Sequence, residues 1–186
     1  MNPAALFSRA CQRAIALGLV FVLGLAAASA AHAISGTGVE IGHGNDNTDI
    51  ARISARWDWD QRWSLGQGWI AGGYWESGLG YMAGDGVDHR NIWEVGLTPV
   101  VRLRSGLSRF YLEGGIGAHL FSETRINADR GFGTSLQFGS HVGFGWNFGD
   151  KDRYELGYRL QHLSNGHLKE PNNGINFHLI RLGYNY

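Results

Sequence analysis

YELGYRLQHLS, residues 154–164, alternates with the period of a β-strand and then puts polar chemistry onto its own apolar face. Successive side chains on a strand point to opposite sides, so Tyr154, Leu156, Tyr158 and Leu160 share one face and Glu155, Gly157, Arg159 and Gln161 the other. The same period places His162 and Ser164 at the end of the apolar row. An imidazole and a hydroxyl there are out of keeping with the row unless something uses them.

Outward from this stretch, period-two alternation recurs along the whole chain from Thr37 onward and predicts eight strands. They lie at about Thr37–Gly42, Ile50–Trp59, Gly68–Gly80, Ile92–Arg104, Arg109–Phe121, Thr134–Phe148, the Tyr154 stretch, and Ile175–Tyr186. One face is apolar and aromatic. The other carries glycines and charges of both signs, among them Glu40, Arg52, Arg56, Glu76, Glu94, Arg102, Glu113, Glu155 and Arg159. An apolar exterior around a charged interior is the pattern of a membrane barrel, in which closure satisfies every strand edge.

The expected fold is therefore all-β: an eight-stranded antiparallel transmembrane β-barrel, with no room for a pore and a lumen plugged by paired charges. Connections support it. Short turns are expected at Gln61–Gln67, Ser105–Ser108 and Gly149–Asp152, and longer polar loops at His43–Asp49, Met82–Arg90, Ser122–Gly133 and Asn165–Gly174, as in outer-membrane barrels. Ile180, Leu182, Tyr184 and Tyr186 end the chain as an alternating apolar set closed by an aromatic residue. A soluble lipocalin-like barrel also alternates, but it has no use for an exterior so rich in Trp, Phe and Tyr.

Composition sets the address and excludes several functions. Arg9 and Arg13 precede an apolar run to Ala28, and Ala31-His32-Ala33 is a small-x-small cleavage signal, so residues 1–33 read as a signal peptide and 34–186 as the mature barrel. Cys11, the single cysteine, leaves with that peptide, which removes disulfides, thiolate nucleophiles and thiolate metal sites from the mature chain. Formal net charge is +0, against the basic surplus that nucleic acid binding requires. The remaining histidines, His43, His89, His119, His141, His167 and His178, are scattered over both faces and several loops, so no metal ligand and no cofactor are expected.

With both termini on the inner side of the membrane, the seventh strand ends on the outside. His162 and Ser164 lie two residues apart on one face, roughly 7 Å between Cα atoms by the strand rise. Asn176, across the hairpin and on the same outward face, is the candidate third member, accepting a hydrogen bond from the far imidazole nitrogen. A His-x-Ser pair alone is weak.

His162-Leu163-Ser164-Asn165-Gly166, followed by Pro171-Asn172-Asn173-Gly174-Ile175 and a short final strand, resembles the signature of the outer-membrane lipid A 3-O-deacylases of the PagL type. The resemblance implies a serine esterase of the Gram-negative outer membrane, its site facing outer-leaflet lipid, that removes the acyl chain ester-linked at position 3 of lipid A in lipopolysaccharide. It makes Ser164 the nucleophile, His162 the general base and Asn172 a side chain of the oxyanion hole, to which backbone amides near Asn165 and Gly166 can add. The chain departs from the family at one point. The acidic member of the family's triad is a glutamate where this sequence has Asn176. Asn176 then orients His162 through its amide oxygen, Glu170 substitutes from the loop, or the protein is a slow or inactive relative; the first is the expected case. Two other functions stay open, a non-catalytic structural or adhesion barrel and a phospholipase-like esterase. Among partners, outer-membrane lipid and lipid A are expected, and a homodimer is left open.

Overall fold

The eight strands of the barrel wall run 9 to 15 residues, each with one apolar face, and bury their backbone polar groups only by pairing on both sides. Residues 33–106 and 108–186 are described by the computed structural model, so residues 1–32 of the expected signal peptide, Cys11 among them, lie outside the described residues. Among the described residues nine strands form: β1 (Gly36–Gly44), β2 (Thr48–Asp58), β3 (Trp63–Gly66), β4 (Trp69–Ala83), β5 (Asn91–Ser105), β6 (Phe110–Phe121), β7 (Leu136–Phe148), β8 (Tyr154–Ser164) and β9 (Ile175–Asn185). All neighbours are antiparallel, β1 pairs with β9, and β2 pairs with β4, which closes eight of the nine into a barrel.

The ninth strand, β3, replaces part of the turn expected at Gln61–Gln67. Trp63, Ser64 and Gly66 pair with Ala71, Ile70 and Trp69, flanking β4 beyond the point where β2 ends. Positive φ at Gly66, Gln67 and Gly68 makes the reversal tight. The connection expected at His43–Asp49 is also shorter than its polarity implied. His43 and Asp49 are paired strand residues, and only Asn45–Asn47 turn between them. A polar run at a barrel rim reads like a loop whether or not its backbone is paired.

The faces divide as the alternation requires. Val39, Ile41, Leu97, Ile116, Val142, Phe144, Trp146, Leu156 and Leu182 are exposed on the outer wall, and Phe148, Tyr154, Tyr184 and Tyr186 form a chain of ring contacts 5.5–5.6 Å apart at the end carrying the short turns. Such an aromatic band is the girdle of a membrane barrel.

Inside, Arg52, Arg56, Arg102 and Arg159 meet Glu40, Glu76, Glu94, Glu113 and Glu155 in one network, Arg159 reaching Glu40, Glu76 and Glu113 at 2.6–2.7 Å. Arg181, which the sequence reading left out, completes it as the fifth arginine, 2.6 Å from Glu76 and 2.9 Å from Glu155. Five arginines facing five glutamates leave the lumen formally neutral, so each charge taken from water has partners close by. Inward glycines supply the room. A Cβ at Gly78 would stand 2.9 Å from Arg52, and one at Gly145 would collide with the Tyr111 hydroxyl.

Toward the loop end the interior changes character. Ile50, Met82, Ile92, Phe121, Leu163, Ile175, Phe177 and Leu179 close the lumen, and Ile126 and Phe132 fold down from the connection between β6 and β7 to join them. The expectation of a lumen filled by charges alone therefore holds for the middle and turn end, and an apolar plug fills the loop end.

Candidate active site

β8 and β9 meet in a register that sets His162 directly opposite Asn176. Both side chains are on the outer wall and exposed, and Ser164, two residues on, is on the same face and half-buried. The residues between them point inward: Leu163, Ile175 and Phe177 are each fully buried in the apolar plug. Each candidate site residue is thus held by a neighbour that cannot leave the core.

His162 Nδ1 is 2.7 Å from Asn176 Oδ1. An amide oxygen only accepts, so the imidazole donates from Nδ1 and its Nε2 lone pair is left free to accept a proton. The ring lies on Gly174, where a Cβ would stand 2.9 Å from His162 Cε1, and Gly174 has φ +58. Both space and backbone therefore favour glycine beside the base. Asn176 N–H donates in turn to Asn45 Oδ1 at 2.9 Å, tying the β1–β2 turn to the same strand. Ser164 Oγ makes no hydrogen bond to the His162 ring.

The loop after β8 brings Asn172 back over Asn165. Asn165 N–H donates to Asn172 Oδ1 at 3.0 Å, which occupies the amide of Asn165 and leaves the Asn172 Nδ2 group as the donor. Asn165 Nδ2 donates to Phe132 O at 2.7 Å and to Lys169 O at 2.5 Å, pinning the loop to the lumen cap. Gly166, with φ +62, is exposed beside them. Glu170 Oε2 accepts from Asn172 N–H at 3.1 Å and Oε1 lies 3.7 Å from the exposed His167 Nδ1, so Glu170 supports the Asn172 backbone and makes no hydrogen bond to His162.

Two further polar pairs lie on the outer wall near Asn176. His178 Nδ1 is 2.5 Å from Tyr158 OH, and His43 Nδ1 is 2.8 Å from Asp49 Oδ1, with His43 and His178 register partners across β1 and β9. They flank a groove of about 620 Å³ whose apolar lining includes Ile41, Ala51, Tyr81 and Ile180. Alternation alone shows that Tyr158 and His178 face outward. It cannot show that they touch, because that contact is diagonal between strands and depends on register. Among the described residues no three His, Cys, Asp or Glu side chains converge as a metal-binding group.

A closed eight-stranded barrel with an apolar, aromatic outer wall that carries a hydrogen-bonded histidine–asparagine pair and a nearby serine defines the class, a membrane β-barrel. Residues 49–185 match the family model described as lipid A 3-O-deacylase (PagL), and the chain belongs to that family. It is 40% identical over 96 residues to lipid A deacylase PagL of Bordetella bronchiseptica, covering 52% of this chain and about half (51%) of that protein. It is 31% identical over 157 residues to lipid A deacylase PagL of Pseudomonas aeruginosa, covering 81% of this chain and 88% of that protein. The crystal structure of the outer membrane enzyme PagL superposes with a TM-score of 0.71 at 27% identity, over 81% of this chain and 99% of that one. Neisserial surface protein A superposes with a TM-score of 0.52 at 10% identity, a likeness of fold alone, over 81% of this chain and 95% of that one.

Proposed function

We propose that this protein is a lipid A 3-O-deacylase that works by serine–histidine chemistry on lipid of the outer leaflet. The observation that carries the reading is the His162–Asn176 hydrogen bond of 2.7 Å on the outer wall, one strand step from Ser164, in a chain of this family. His162 Nε2 takes the proton of Ser164 Oγ as the oxygen attacks the ester carbonyl at position 3. Asn172 Nδ2 and the Gly166 N–H face the developing oxyanion, with Asn165 N–H fixing the Asn172 amide from behind. Collapse breaks the ester bond, and the imidazolium returns its proton to the departing sugar oxygen. Water, deprotonated by the same imidazole, then releases the chain as a free 3-hydroxy fatty acid.

The site's place on the wall fits such a substrate, because acyl chains in the membrane lie against that surface. The groove beside His178 offers them an apolar bed.

Purified protein in detergent, mixed with lipid A, is expected to release the 3-linked hydroxy fatty acid, read by mass spectrometry. Ser164→Ala and His162→Ala should each lower the rate by at least about 10³-fold without additive loss in the double variant, since they act as one unit. Release of a chain from another position, or full activity in either variant, sinks the reading. Asn176 in place of the family's glutamate favours one second reading, a barrel of the same build with little or no turnover. Equal inertness of wild type and Asn176→Glu on lipid A would establish it.

A further inference from the structure

Three external connections converge on the strand end that carries Asn176, and one side chain joins all of them. Arg130, in the connection between β6 and β7, donates from Nε to Asp46 Oδ2 at 2.5 Å. Its Nη1 donates to the carbonyls of Asn173, at 3.3 Å, and Gly174. Gly174 is the residue on which the His162 ring lies, and Asp46 follows Asn45, whose Oδ1 accepts from the Asn176 amide at 2.9 Å. Arg130 therefore reaches the base by two routes. One runs through the Gly174 backbone to the imidazole edge, and the other through Asp46 and Asn45 to the strand residue that holds the imidazole Nδ1.

The surroundings make Arg130 a fixed point rather than a loose surface charge. Asn127 Oδ1 accepts from the Arg130 amide at 2.8 Å and from the Asp129 amide at 3.1 Å. Gly131 and Asn173 exchange hydrogen bonds, Gly131 N–H to Asn173 Oδ1 and Asn173 N–H to Gly131 O, each at 3.2 Å. Ile126 and Phe132, on either side, are fully buried in the apolar plug. A planar guanidinium holds five donors in a fixed fork and can serve a carboxylate and two carbonyls at once in a set geometry, whereas an ammonium, with three donors on a flexible stem, fixes that geometry less well.

We propose that Arg130 is a positioning residue of the active site: by clamping Asp46, Asn173 and Gly174 it sets the orientation of the His162–Asn176 pair. The inference rests on the serine–histidine reading above. It touches neither substrate nor reacting atoms. Its loss acts on turnover, since a base a fraction of an ångström out of line slows proton transfer without removing any contact to lipid.

Two measurements on Arg130→Ala test it, with heat-modifiable gel mobility confirming an assembled barrel. The rate at which a fluorophosphonate probe phosphonylates Ser164, the O–P bond forming as fluoride leaves, should fall about 10- to 100-fold, with kcat on lipid A falling in step and KM nearly unchanged. Deuterium uptake across residues 172–176 should rise while that of β8 stays as in wild type. Arg130→Lys should recover part of the rate, Asp46→Asn should lose less than Arg130→Ala, and Arg130→Ala should add little in an Asn176→Ala background. Faster uptake with unchanged probe labelling makes Arg130 a loop staple only and overturns the proposal. So does unchanged uptake, or an effect confined to KM. A wild type that the probe does not label sinks the serine reading instead; uptake at residues 172–176 then still decides whether Arg130 holds the strand end, and no change there overturns the clamp.

Discussion

The two halves of the barrel interior are filled by opposite chemistry. At the middle and turn end five arginines pair with five glutamates, whereas at the loop end the filling is aliphatic and aromatic. The ionic half specifies register, because sliding one strand past its neighbour breaks several charge pairs together. The apolar half does something the ionic half cannot. It anchors the connections, through Ile126 and Phe132, and it grips the residues that alternate with the site, Leu163, Ile175 and Phe177. The catalytic candidates sit outside the wall, yet their geometry is set from within it. Perturbing the two halves should therefore have different consequences, stability in one case and turnover in the other.

The largest effect on stability is expected from Arg159→Met. Arg159 faces Glu40, Glu76 and Glu113, and its removal leaves buried carboxylates short of a partner, a change that costs about 3–5 kcal/mol in comparable pairs. Denaturant unfolding in detergent should show that loss, while turnover per folded molecule stays near wild type. A stable barrel with lost activity would mean that the ionic half also tunes the site.

Leu163→Ala probes the other half. A fully buried leucine truncated to alanine typically costs about 2–5 kcal/mol, depending on how far the cavity collapses. Here the cavity opens between His162 and Ser164 on one strand, so acylation of the serine should slow even in molecules that remain folded. Loss of stability with full turnover of the folded fraction would remove the link between plug and site.

How much of this could be read from the sequence follows from the same division. Strand faces depend only on a period of two, so the outward placing of Leu156, Tyr158, His162 and Asn176 and the inward placing of Glu155 and Arg159 were legible. Arg181 is equally legible, on the face opposite Ile180 and Leu182 of the terminal strand. The apolar plug was not legible. Ile126 and Phe132 lie in a connection with no period, and only the fold shows them turning inward. The β3 flap and the paired state of His43 and Asp49 were hidden for a related reason, since polar residues at a rim have the same composition whether paired or looped. Register hid the rest. That Asn176 shares the outward face with His162 follows from alternation across the hairpin, and the register sets the two opposite each other, whereas Tyr158–His178, Asn45–Asn176 and the Arg130 contacts depend on the folded loops and diagonal packing.

The smallest expected effect separates the two candidates for the third member of the triad. Asn176 Oδ1 accepts a hydrogen bond from His162 Nδ1, while the Glu170 carboxylate accepts from the Asn172 backbone and lies largely in solvent. Asn176→Ala removes the acceptor and should lower kcat about tenfold, roughly 1.4 kcal/mol of transition-state stabilisation. Asn176→Glu keeps an acceptor and adds a charge that favours the imidazolium formed during attack, so its rate should equal or exceed wild type. Glu170→Gln retains a carbonyl oxygen that can still accept from Asn172 N–H, and a change within about twofold is expected, because an exposed charge-assisted bond weakened to a neutral one is worth little. A large loss in Glu170→Gln, with Asn176→Ala unaffected, would move the orienting role from the strand to the loop and leave the 2.7 Å hydrogen bond without a catalytic part.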